Sequence, residues 1–95
     1  MNKILKLNNK EYEVINDYKE ALNEEELQDK FTDYFEEFDY VVGDYAYSKL
    51  RLKGFYDSKN SKVSKINDIK NLDNYIKNNC AYGCKWFELK KVDKK

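Results

Sequence analysis

The hydrophobic period of this chain changes twice, and no single class of secondary structure accommodates both values. In Ile4-Leu5-Lys6-Leu7 and Tyr12-Glu13-Val14-Ile15 the pattern repeats every second residue, as side chains alternating across a strand require. Asn8-Asn9-Lys10 separates the two stretches, and because Asn tolerates positive φ and favours tight turns, a β-hairpin is expected. Leu27, Phe31, Tyr34, Phe35 and Phe38 then recur at spacings of four, three, one and three, which is one face of an α-helix. Asn23 suits the N-cap, Glu26 completes a capping-box pattern, and Glu24 and Glu25 place negative charge at the positive end of the helix dipole.

From Tyr40 the period returns to two. Tyr40-Val41-Val42 and Lys49 to Tyr56 fit two antiparallel strands joined near Ala46 to Ser48. In the second, alternation puts Leu50, Leu52 and Tyr56 on one side and Lys49, Arg51, Lys53 and Phe55 on the other. Asp57 to Lys65 is polar and reads as a loop. A short helix is expected to begin near Asn67 to Asn71, to bury Ile69, Leu72, Tyr75 and Ile76, and to end at Asn78-Asn79. Cys84 to Val92 supplies the last strand, with Phe87 and Leu89 on one side and Trp86 and Glu88 on the other. The order ββαββαβ predicts a small α+β domain over residues 1–95, a mainly antiparallel sheet with two helices packed on it. Aromatics at 16% support a packed core despite 38% charged residues.

The chain contains no histidine, which removes His-based acid/base catalysis, His-activated nucleophiles and most catalytic zinc sites together. Cys80 and Cys84 are two sulfurs spaced around Ala-Tyr-Gly, whereas a structural zinc site needs four ligands, so they are expected to be buried thiols. Neither a metal nor a cofactor is implied. No apolar run is long enough for a signal sequence or a membrane span, and a reducing cytoplasmic address is expected. The net charge of zero hides a division: residues 21–44 sum to −8 and residues 45–95 to +8.

Two candidate surfaces follow. One is the strand face carrying Lys49, Arg51, Lys53 and Phe55, extended by Tyr45 and Tyr47 at the preceding turn. Cations bind phosphates and rings stack bases, so RNA or another nucleic acid is the ligand it suggests. Lys53-Gly54-Phe55 matches the opening of an RNP1 pattern, but Tyr56 and Asp57 break the match. An ordinary half-exposed strand kept soluble by lysines explains the same residues. The other surface is acidic, with Glu25, Asp29, Asp33 and Glu36 on the long helix, suited to a basic protein partner or to self-association. Gly43-Asp44 reads as a bulge glycine followed by a turn-forming carboxylate, or as an acid able to orient a ligand or to pair with Arg51.

Tyr40-Val41-Val42-Gly43-Asp44-Tyr45-Ala46-Tyr47, then Leu50-Arg51-Leu52-Lys53-Gly54-Phe55, and later Cys80-Ala81-Tyr82-Gly83-Cys84-Lys85-Trp86-Phe87-Glu88-Leu89-Lys90, resemble the YutD-like family, small uncharacterised proteins of low-GC Gram-positive bacteria. The resemblance spans the chain. It implies one cytoplasmic α+β domain and no particular activity. Residue chemistry and resemblance together lead to the expectation of a non-enzymatic binding or regulatory module.

Overall fold

The computed structural model describes residues 3–46, 49–79 and 85–92. Five strands form one sheet in the order β1-β2-β5-β3-β4. They are β1 (Ile4–Leu7), β2 (Lys10–Tyr18), β3 (Tyr40–Ala46), β4 (Lys49–Phe55) and β5 (Trp86–Lys91). All four neighbouring pairs are antiparallel. Helix α1 (Glu24–Lys30) follows β2, and a 3-10 turn (Ile69–Asn71) leads into α2 (Leu72–Asn79). The expected order ββαββαβ is therefore present, with the C-terminal strand inserted between the two hairpins.

Local chemistry explains the beginnings of these elements. Asn8 adopts φ 55° at the β1–β2 turn, a conformation that Asn tolerates better than most residues. The Asn23 side chain accepts from the Glu26 amide at 3.0 Å and caps α1. Asp68 does the same for the Ile69–Asn71 turn through the Lys70 amide, also at 3.0 Å. The long amphipathic helix expected from Leu27 to Phe38 is shorter in the structure. α1 stops at Lys30, Phe31 and Thr32 are extended, and a separate 3-10 turn covers Asp33–Glu37. Phe31 leaves helical geometry where its ring meets Tyr12 edge-on at 5.3 Å, and β-branched Thr32 fits the extended backbone readily. Phe35 and Phe38 keep their inward role, whereas Tyr34 is 63% exposed.

Both faces of the sheet are covered. Val41, Leu50, Phe87 and Leu89 join Leu5, Leu7 and Tyr12 under Leu27 and Phe31 on one face. On the other, Val42 and Phe55 pack with Leu72, beside Tyr40, Tyr75, Ile76 and Trp86. Alternation along β3 and β5 thus feeds two cores from the same strands. The irregularity in the sheet lies in β2, between Val14 and Asn16. Gly43 is in regular register with Leu52 and Phe87, so the bulge expected there is absent; the glycine makes room for the Phe87 ring.

Tyr12 supplies a test of the first core. Its side chain is fully buried, and its hydroxyl has no hydrogen-bond partner among the described residues. Burial, reinforced by the Glu36 charge, pushes the phenol up to about 12. An unsatisfied buried hydroxyl costs roughly 1–3 kcal/mol. Tyr12→Phe is therefore expected to leave stability unchanged or raise it by about 1 kcal/mol in urea unfolding, and a loss of comparable size would show that the hydroxyl is bonded.

Candidate functional site

The basic strand is not one continuous surface. Lys49 and Arg51 are exposed, Lys53 is half-buried, and Phe55 is only 1% exposed. α2 crosses this end of the face, and the Tyr75 ring meets Phe55 edge-on at 5.5 Å. The Lys53 ammonium lies over both rings, 5.2 Å from Phe55 and 5.8 Å from Tyr75. Phe55 is therefore a core residue, and the stacking role suggested for it is corrected. Tyr45 stands on the opposite face of the sheet, packed against the first core. Its hydroxyl donates to Glu26 at 3.0 Å and the Lys85 ammonium covers its ring at 4.6 Å. Burial first, then Glu26, pushes the Tyr45 phenol up to about 12. Tyr47 lies outside the described residues, as do Cys80 and Cys84.

Arg51 is engaged across the sheet. Its Nε and Nη2 donate to the two carboxylate oxygens of Asp44 at 3.1 and 2.9 Å, in the cross-strand register Asp44↔Arg51. The hydrogen bond and charge of Asp44 raise the guanidinium pKa further above its already high value. Of the two uses suggested for Asp44, ligand orientation or pairing with Arg51, the structure contains the pair.

The acidic residues are split by the interruption at Phe31. Glu25 and Asp29 are exposed on α1, whereas Asp33 and Glu36 belong to the 3-10 turn. Asp33 and Glu36 both accept from the Asn8 amide, at 3.2 and 2.9 Å, which ties that turn to the first hairpin. Glu37 accepts the Tyr56 hydroxyl at 2.5 Å. That bond is the main cause holding the Glu37 carboxyl below its ordinary value, and it pushes the Tyr56 phenol up to about 12. The four predicted acids thus sit on two elements instead of one helix face.

Beside the Asp33–Glu37 turn lies a groove that the periodicity did not indicate. Phe35, Phe38 and Leu52 form its base, and Tyr34 and Ile66 flank it, enclosing about 250 Å³. Tyr34 is 63% exposed and Ile66 is 78% exposed. Tyr34 also meets Phe35 and Phe38 edge-on, at 5.1 and 5.3 Å, so its ring is positioned although it faces solvent. Helical spacing assigned Tyr34 to the interior, and Ile66 sat unnoticed among polar loop residues; an apolar side chain in that setting was the available signal.

Comparison with known proteins adds the lineage. Residues 6–90 match the family model described as "Putative antitoxin YutD-like". The chain belongs to the YutD-like family. Among its YutD-like relatives, the Bacillus subtilis (strain 168) protein named "Putative antitoxin YutD" is 40% identical over 88 residues, covering 93% of this chain and 97% of the relative. The solution NMR structure of protein yutD from B. subtilis superposes with a TM-score of 0.82 at 38% identity, covering 97% of this chain and 84% of that one. The matched residues include both segments that carried the resemblance, the β3–β4 hairpin and β5. Among the described residues of this YutD-like chain, no helix is long and apolar enough to cross a membrane.

Proposed function

We propose that this chain is a non-enzymatic protein-binding module, and that its contact surface is the Tyr34–Ile66 groove together with the exposed acids of α1 and the Asp33–Glu37 turn. The observation that carries this reading is the pairing of two exposed apolar side chains around a preformed pocket with exposed carboxylates at Glu25, Asp29 and Asp33. Interfaces draw most of their binding energy from a few aromatic or apolar anchors in desolvated pockets, while surrounding charges steer encounter and set specificity. The partner that fits presents an apolar anchor flanked by Lys or Arg. The word antitoxin in the names of the family and of the Bacillus subtilis relative agrees with this reading, because counteracting a toxin can be achieved by binding alone. The basic strand supports RNA less well, since its one ring is enclosed under α2.

The test is affinity capture from the source cells, followed by titration of the captured protein. A basic partner is expected, and Tyr34→Ala with Ile66→Ser should weaken it by at least about tenfold, a typical effect of removing an anchor. Neutralising Glu25, Asp29 and Asp33 should slow association and flatten its salt dependence. Capture unaffected by both sets would overturn the proposal. So would binding of single-stranded RNA at low salt that collapses when Lys49, Arg51 and Lys53 become alanine.

A further inference from the structure

Ile66 separates the groove from a second, larger cleft. The end of β4, the segment around Lys65 to Asn71 and the first turns of α2 enclose about 640 Å³, within the usual range for small-molecule sites. Three lysines, Lys53, Lys65 and Lys70, line it, and among the described residues no carboxylate does. Tyr75 and Ile66 supply apolar walls, and Asn74 lines the same space.

The lysines differ in how they are engaged. The Lys53 ammonium rests over aromatic rings. Lys70 is 3.8 Å from Asp68 Oδ2, while Asp68 Oδ1 accepts the Ser58 hydroxyl at 2.6 Å and the Lys70 amide at 3.0 Å. Among the described residues, the Lys65 ammonium has no ion-pair partner. The Lys65 backbone is nevertheless held in place, because its carbonyl accepts the Asn71 side-chain amide at 3.1 Å. Three lysines lining an apolar-walled cleft favour an anion over a cation there.

We propose that this cleft binds a mononucleotide, with its phosphates on Lys65 and Lys70 and its base between Ile66 and Tyr75. Phosphate alone would use the cations and leave the apolar walls in water; a nucleoside alone would leave the cations uncompensated. A nucleotide joins both chemistries in one molecule, and a hydrogen-bonding base edge meets the Asn74 amide. The cleft shares Ile66 and Lys53 with the protein-binding groove, but its test uses residues that the groove lacks.

The experiment is fluorescence titration of the full chain with methylanthraniloyl-ATP and methylanthraniloyl-GTP at low salt. Saturable binding of at least one is expected, weakened at least about tenfold by Lys65→Gln with Lys70→Gln. Asn74→Asp, which adds a negative charge at the rim, should weaken it as well. All three residues are exposed, so unchanged thermal midpoints are expected and would show that folding is intact. Inorganic phosphate and an unphosphorylated nucleoside should each compete far less well than the nucleotide. No saturation at about millimolar probe, affinity indifferent to the substitutions, or phosphate competing as well as nucleotide would overturn the proposal. A short oligonucleotide displacing the probe more effectively than the mononucleotide would likewise overturn it.

Discussion

Gly43→Ala is expected to lower unfolding free energy by about 3 kcal/mol, the upper part of the range for overpacked cores. Gly43 lies on β3 between β4 and β5, opposite Leu52 and Phe87, and a Cβ built there would overlap the Phe87 ring. Phe87 is fully buried among Leu5, Leu7, Val41 and Leu89, so the ring has nowhere to move without displacing the core. Gly54 is a second position of this kind. A Cβ there would overlap Cγ and Cδ2 of Phe38, atoms close to the Phe38 backbone, in a ring packed against Tyr34 and Tyr56. Gly54→Ala is therefore expected to lose about as much. For a domain of this size each kcal/mol shifts the melting midpoint by roughly 4–8 °C, so calorimetry reads both losses. Phe87→Leu should recover part of the loss in the Gly43→Ala background and none of it in the Gly54→Ala background. A mild loss at either glycine, or no such recovery, would refute the steric account.

The same glycine marks the boundary of what the sequence conveys. Gly43 next to Asp44 looks like a bulge because neighbouring residues are all that a linear reading has; the ring that requires it belongs to β5, far along the chain. Features decided within a few residues were legible. Asn23 caps α1 through the Glu26 amide, Asn8 turns the first hairpin with positive φ, and alternation assigned Phe87 and Leu89 to one face and Trp86 to the other. The end of α1 was not legible, because spacings of three and four suit a 3-10 turn after a break as well as one continuous helix, and the contact between Phe31 and Tyr12 selects the break. Phe55 failed as a surface residue for a similar reason. Its position on the strand face was read correctly, but whether α2 covers that face depends on topology. The exposed pair Tyr34 and Ile66 comes together from segments that no local pattern connects.

Arg51→Ala should produce the second large loss, about 2–3 kcal/mol. Asp44 is 1% exposed and receives both prongs of the guanidinium. Removing one partner of a fully buried pair costs roughly 3–5 kcal/mol, because the remaining charge is stranded. Here the Arg51 side chain is 45% exposed, so its removal admits water to the carboxylate and the penalty falls below that range. Arg51→Lys keeps the charge and loses the two-pronged geometry, and about 1 kcal/mol is expected. Asp44→Asn should cost no more than about 1 kcal/mol, because the guanidinium it releases already reaches solvent. The asymmetry is the signature of a pair with one buried and one wet end, and chemical denaturation of the variants measures it. Lys49→Ala, one alternation step away on the same strand face, should change stability by less than about 0.5 kcal/mol. If Arg51→Ala were as mild as Lys49→Ala, the arginine would be a surface cation available to an anionic partner, and the protein-binding reading would lose its advantage over RNA. A loss confined to Arg51 instead makes it part of the scaffold that holds β3 against β4, and explains why a chain otherwise furnished with lysines carries its one guanidinium at this position.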